Sequence, residues 1–213
     1  FLGSEFLFTG GRRAEAVCRV VIRTPSGSVA GYGTGFMVGP SAVMTNNHVL
    51  DSAVTAGPSV IQFGYRERSG GTMHPVAEFA LEPARLFVTD ADLDVTVVAV
   101  AAANGAGQLV AAQGWVPLIG PSGKTLIGER VNIIQHPSGH PQQVVIHDNL
   151  VVEVAGDFLR YVADTQPGSS GSPVFNNDWD LAALHHSGVP RRDDQGRILL
   201  TTGDVWDGSD AKR

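Results

Sequence analysis

The sequence predicts an all-β fold, and three observations carry that prediction. Short apolar, β-branched runs recur along the chain, clusters of Pro, Gly, Asn and Asp punctuate them, and periodic Leu/Ala/Glu/Lys stretches are scarce. Glycine supplies 26 of the 213 residues, which suits tight turns better than helices. In chain order the runs are Val17–Thr24, Gly35–Val38, Ala42–Thr45, Val60–Tyr65, Val76–Phe87, Val95–Ala101, Arg130–Gln135, Val144–His147, Leu150–Val154, Phe158–Ala163, Ser172–Phe175, Leu181–His186 and Ile198–Thr202. About a dozen short strands at this spacing read as a sandwich or barrel, either one closed sheet or two barrels of roughly six strands. Turns such as Thr24-Pro25-Ser26-Gly27 and Pro121-Ser122-Gly123 separate them. Helices are expected only at a short piece after His48 and at Arg12–Ala16. Between Ala101 and Lys124 the chain turns small and irregular, where a connector between halves would sit, so we place a boundary near residue 115. Residues 1–115 then form a first unit with an N-terminal extension and residues 116–213 a second, together one domain.

Bulk properties narrow the function. Fifteen Lys and Arg against 21 Asp and Glu leave a net charge of −6, with 17% charged and 43% hydrophobic residues. That excludes a disordered polyelectrolyte and argues against a nucleic-acid partner. The longest apolar run, Val97–Ala103, falls far short of the ~18–20 residues of a membrane-spanning helix, so no membrane role is expected. A single cysteine, Cys18, forms no internal disulfide and leans toward a reducing, cytoplasmic compartment, with secretion left open. The chain begins at Phe1 with no charged stretch ahead of an apolar segment, which reads as an excised or processed domain.

Three segments place a polar residue in an apolar, strand-like setting: Val43-Met44-Thr45-Asn46-Asn47-His48-Val49-Leu50, Asp92-Leu93-Asp94-Val95-Thr96-Val97-Val98, and Thr165-Gln166-Pro167-Gly168-Ser169-Ser170-Gly171-Ser172-Pro173-Val174. A hydroxyl is a poor nucleophile at neutral pH unless an imidazole accepts its proton, and a buried carboxylate must hold that imidazole in one tautomer. The segments supply all three groups. Ser170 sits in a Gly-Ser-Ser-Gly turn, where Gly168 lets its own N–H and that of Ser170 face one point, as an oxyanion hole needs. Asp94 opens an apolar run, where a carboxylate is costly to bury unless paired.

On these residues the sequence resembles the chymotrypsin-like serine peptidases, in particular their disulfide-poor bacterial branch of glutamyl endopeptidases and high-temperature-requirement proteases. Gly33-Thr34-Gly35-Phe36-Met37-Val38 and Thr45-Asn46-Asn47-His48-Val49 resemble the histidine region, Asp94-Val95-Thr96-Val97-Val98 the aspartate strand, and Gly168-Ser169-Ser170-Gly171-Ser172-Pro173-Val174 the nucleophile loop. The chain order His48, Asp94, Ser170 is that of this family, whereas the α/β-hydrolase order differs and its Gly-x-Ser-x-Gly pattern fails at Ser172. The resemblance implies two six-stranded antiparallel β-barrels with the site in the cleft between them. It also implies catalytic residues His48, Asp94 and Ser170, an oxyanion hole from the Gly168 and Ser170 amides, a protein or peptide substrate, and no cofactor. The chain lacks the paired cysteines of the digestive members, and similar domains often belong to larger proteins, so a regulatory domain or partner is a weak expectation.

Substrate choice stays open between two readings. In the family the residue six before the nucleophile lies at the pocket floor; here it is Asp164, which would favour Lys or Arg before the cut bond. Thr165 and His186, the latter in Leu184-His185-His186-Ser187-Gly188, resemble instead the pair that binds Glu or Gln in glutamyl endopeptidases. Adjacent strand residues point to opposite faces, so only one of His185 and His186 faces the pocket, and we take His186. Asp164, Thr165, His186, Ser187 and Gly188 are therefore the expected substrate-binding residues.

Other motifs carry less. Gly31-Tyr32-Gly33-Thr34-Gly35 has no following helix and the wrong glycine spacing for a dinucleotide loop. His136-Pro137-Ser138-Gly139-His140 breaks the helix that would align two zinc ligands, and Asp90, Asp92 and Asp94 lack the glycine and glutamate of a calcium loop, so no metal is expected. A non-catalytic protease-like module that binds a peptide, and an esterase using the same three groups, remain as alternatives.

Overall fold

The computed structural model describes residues 2–120, 125–147, 149–162, 167–186, 193–195, 197 and 205. Seven strands arise in the first half: β1 (Val17–Arg23), β2 (Val29–Gly39), β3 (Ala42–Thr45), β4 (Val60–Phe63), β5 (Ala77–Ala80), β6 (Phe87–Asp90) and β7 (Val95–Ala99). They pair antiparallel in the order β5-β4-β1-β2-β3-β7-β6, and a bridge between Leu81 and Val100 closes β5 back toward β7. The expected run Val76–Phe87 is broken, because Glu82 to Leu86 carries Pro83 and turns. β5 and β6 are thus two halves of one bent strand, and six positions surround the barrel. Val20, Phe36, Val43, Ile61, Phe63, Phe79 and Val98 alternate into its interior, each 0–1% exposed.

Six further strands follow: β8 (Asn132–Gln135), β9 (Gln143–Val145), β10 (Val151–Ala155), β11 (Phe158–Tyr161), β12 (Pro173–Phe175) and β13 (Leu181–Leu184). Four of them form the sheet β13-β12-β8-β9, and β10 pairs with β11. Backbone hydrogen bonds Val131 N–H to Asn149 O (3.0 Å) and Val151 N–H to Glu129 O (2.8 Å) join that hairpin to the start of β8. A separate small core of Val131, Ile133, Val151 and Val174 lies inside. The expected strand Ile198–Thr202 lies outside the described residues.

The helices differ from expectation. The first, α1, spans Glu5–Glu15 rather than Arg12–Ala16. Two consecutive glycines, Gly10 and Gly11, each weaken a helix by about 1 kcal/mol relative to Ala and hide it in the sequence. Tertiary packing overrides them: Gly10 is buried against the Trp179 indole, where any Cβ would collide, and the Phe6 ring lies 4.9 Å from that of Trp179. Arg13 Nε adds a 3.0 Å hydrogen bond to Trp179 O. α1 thereby straps the two halves together. The piece after His48 is a turn, with Leu50 N–H on Asn46 O, followed by the single-turn α2 (Ala53–Ala56) capped by Ser52. Among the described residues no helix is long and apolar enough to cross a membrane.

Candidate active site

Three buried threonines of the first barrel fix the loops that carry the polar residues. Thr96 on β7 donates to Leu50 O at 2.9 Å and holds the turn containing His48. Thr45 on β3 donates to Thr34 O at 2.7 Å. Thr34 on β2 reaches the other half: its N–H donates to Ser170 O (2.8 Å), its Oγ1 donates to Gly168 O (2.9 Å), and the same Oγ1 accepts from His136 N–H (2.9 Å).

Asp94 stands at the start of β7 with φ +50°, a left-handed conformation that Asp tolerates better than most residues. The Asn46 side chain holds its carbonyl at 2.8 Å. The carboxylate turns back onto His48: Oδ1 accepts the His48 N–H at 2.9 Å, and Oδ2 accepts Nδ1–H at 2.6 Å. Burial pushes the Asp94 carboxyl up, but the backbone hydrogen bond from His48 and those from the His186 and His48 rings outweigh it, holding it below the ordinary carboxylate range. Asp90, Asp92 and Asp94 do not converge. Asp90 Oδ1 instead accepts the N–H groups of Asp92 and Leu93, each at 2.9 Å, as in an Asx turn.

The loop that carries Ser170 is built on two glycines. Gly168 at φ +95° packs so closely on the His136–Gly139 turn that a Cβ would lie 2.9 Å from both His136 O and Ser138 N. Gly171 at φ +85° lies against Thr34 O and Thr45 Oγ1, with no room for a Cβ. Ser172 Oγ closes the turn on Ser169 O at 2.6 Å. Gly171 N–H donates to His185 O and His185 N–H to Ser172 O, at 3.0 and 2.9 Å, which sets the end of β13 beside the loop. Ser170 is half-buried. Among the described residues no hydrogen bond joins its Oγ to His48, and the amides of Gly168 and Ser170 are not engaged by other groups.

The structure separates the two neighbouring histidines of the β13 end. His185 is buried, with Nδ1 in a 2.6 Å hydrogen bond with the Tyr161 hydroxyl; burial first, then the nearby His186 and His48 rings, pushes it down to about 4. His186 instead donates Nδ1–H to Asp94 Oδ2, the oxygen that also holds His48. This contact bears on the expected pocket role, since the ring lies on the Asp94 carboxylate. Asp164, Thr165, Ser187 and Gly188 lie outside the described residues.

Sequence reasoning missed the part played by His136-Pro137-Ser138-Gly139-His140. His136 turns Nδ1 to His140 O at 3.1 Å, stacks on Tyr65, and is pushed down to about 4, first by burial. Ser138 N–H donates to Pro167 O at 2.5 Å. The turn is a bed for the Gly168 loop, and the signal was there as a Pro-Ser-Gly stop between two apolar strands. Cys18 is fully buried, and burial pushes its thiol up, leaving it inert.

Comparison with known proteins agrees with this frame. The profile of the trypsin-like peptidase domain matches residues 33–184. The chain belongs to the trypsin-like peptidase family. It is 37% identical over 199 residues to the uncharacterized protein y4fB of Sinorhizobium fredii (88% of this chain, 30% of that protein). It is 31% identical to the secreted RxLR effector protein 73 of Plasmopara viticola (83% and 46%) and 25% identical to exfoliative toxin A of Staphylococcus aureus (80% and 61%). The chain thus spans less than two thirds of the length of these relatives. Among solved structures, the serine endoprotease from Yersinia pestis superposes with TM-score 0.61 at 20% identity, covering 89% of this chain and 60% of that one. Deg5 superposes with TM-score 0.60 at 16% identity, covering 87% of each chain. The trypsin-like domain therefore has the all-β, two-barrel chymotrypsin fold.

Proposed function

We propose that this domain is a serine endopeptidase in which Ser170, His48 and Asp94 act as nucleophile, base and orienting acid. The observation that carries the reading is the 2.6 Å contact of His48 Nδ1 with Asp94 Oδ2, next to a Gly168–Gly171 loop tied to the same barrel through Thr34. Asp94, below its ordinary carboxylate range, stays ionised and keeps the His48 proton on Nδ1, which leaves Nε2 to accept the Ser170 proton. The hydroxyl oxygen attacks the scissile carbonyl, the imidazolium returns the proton to the leaving amine, and water repeats the sequence on the acyl-enzyme. The amides of Gly168 and Ser170, which among the described residues have no other partner, would receive the oxyanion, and one such donor is worth about 2.7–4 kcal/mol in the barrier. Serine-to-histidine contacts often tighten only when substrate binds, so the free form suffices for this reading.

Cleavage after Lys or Arg is the finer reading, supported by Asp164 at the pocket position in the sequence. The competing Glu or Gln preference rests on Thr165 and His186, and the engagement of His186 with Asp94 weighs against it. A fluorophosphonate probe tests the nucleophile: one label per chain is expected, lost in Ser170→Ala. No labelling of the native protein would favour a peptide-binding module. A peptide library varied before the cut bond tests specificity, and cleavage after Glu alone would overturn the basic preference.

A further inference from the structure

His48, Asp94 and His186 bring two imidazoles and a carboxylate to one point in the cleft. One donor atom from each lies within 4.8 Å of the others. Asp94 Oδ2 accepts from both rings, whose centroids are 6.0 Å apart and nearly perpendicular, so the two Nδ1 atoms approach one oxygen from different sides. Two histidines and a carboxylate are a set suited to a divalent transition metal rather than to Ca²⁺ or Mg²⁺, which prefer oxygen ligands.

We infer that this trio is an inhibitory site for a divalent transition ion, with Zn²⁺ as its chemical type. The inference deepens the peptidase reading, since the ion would occupy the base and the acid together. Tetrahedral zinc with bonds of about 2.0–2.1 Å holds neighbouring donors about 3.3 Å apart. His48 Nδ1 and Asp94 Oδ2 now lie 2.6 Å apart and the three donor atoms lie within 4.8 Å of one another, so shifts of no more than about 1–1.5 Å bring them to that spacing, the ion taking the place of the two Nδ1 protons. Access is available: the side chains of His48 and His186 are 48% and 47% exposed, while that of Asp94 is 8% exposed and anchored. Zinc on Nδ1 removes the orienting hydrogen bond to His48 and places positive charge where the imidazolium would form. The base is lost without any change at Ser170.

The test uses tag-free protein carrying Ser170→Ala and follows Zn²⁺ binding by calorimetry, with Co²⁺ absorption as a coordination readout. One ion per chain is expected, with an intense tetrahedral Co²⁺ band. His186→Ala and His48→Ala, added singly, should each weaken binding at least tenfold, while His147→Ala at an exposed site leaves it unchanged. Both ligand variants sit at half-exposed positions, and their melting curves show whether they are folded. In the Ser170 form, Zn²⁺ should abolish peptide cleavage, a chelator should restore it, and Mg²⁺ or Ca²⁺ should do nothing. Absence of binding, or binding that survives both histidine changes, overturns the inference. Binding without any peptidase activity would keep the metal site and defeat the triad, whereas activity indifferent to zinc would do the reverse.

Discussion

Thr34 on β2 donates its N–H to the carbonyl of Ser170 at 2.8 Å, so the backbone of the proposed nucleophile is held by the barrel that carries His48 and Asp94. The Thr34 hydroxyl doubles the tie by bonding Gly168 O and receiving His136 N–H. The relative placement of His48 and Ser170 therefore depends on one short side chain as well as on the interface.

Thr34→Val keeps the shape and the main-chain bond but leaves Gly168 O and His136 N–H without that partner. A loss of about 1–3 kcal/mol in stability is expected, because buried polar groups left unpaired carry their desolvation penalty. Fluorophosphonate labelling of Ser170 should slow by about tenfold or more as the loop loses its position. Thr34→Ser retains the hydroxyl and should stay near the native rate. Equal labelling of all three forms would sink this account.

Gly171 and Gly27 share a left-handed φ, +85° and +86°, but Gly27 has open space around it while Gly171 faces Thr34 O and Thr45 Oγ1. Alanine at 27 should cost only the conformational term, about 1–2 kcal/mol. Gly171→Ala must also displace backbone and should cost several kcal/mol and abolish labelling. Urea unfolding of the two variants measures the difference, and similar midpoints would refute the packing argument.

Much of the fold was legible because strand periodicity and turn residues act locally. β1 and β3 begin and end within a residue of the apolar runs that announced them. The meeting of His48 and Asp94 was legible to the extent that an acid at the head of an apolar strand needs a partner. What the sequence could not show was set by distant contacts. The pair His185-His186 declares that one ring faces each way, yet only Tyr161 and Asp94, contributed by β11 and the turn before β7, decide which. The role of His136-Pro137-Ser138-Gly139-His140 likewise depends on Thr34 and Pro167, remote along the chain. Strand β5–β6 shows the opposite failure, where one apolar run hid a bend at Pro83.

Helix α1 gives a paired prediction of the same kind. A methyl group at Gly11 would meet nothing within 4 Å, so Gly11→Ala should raise stability by about 0.5–1 kcal/mol through helix propensity alone. Gly10→Ala gains the same propensity but drives a methyl into the Trp179 ring and should be net destabilising. Thermal melting of both variants checks the signs, and a Gly10→Ala protein more stable than the native one would show that α1 does not dock as described.

Acid should unfold the domain early. His136 and His185 are both pushed down to about 4 by burial, so between pH 4 and the ordinary histidine value of ~6.5 the unfolded chain binds protons that the folded chain refuses. Stability from these two groups is complete above ~6.5, falls as the pH drops through that window, and levels off near 4, at up to about 3 kcal/mol per histidine. Asp94 acts in the same direction at lower pH: its folded value lies below the unfolded one, so its contribution is present above the ordinary carboxylate range and is lost as its carboxylate protonates. Denaturant midpoints measured from pH 7.5 to pH 4 should therefore decline steadily. Replacing His136 by Gln should flatten the slope by about one proton while weakening the bed of the Gly168 loop, and a midpoint independent of pH across the window would contradict the burial of both rings.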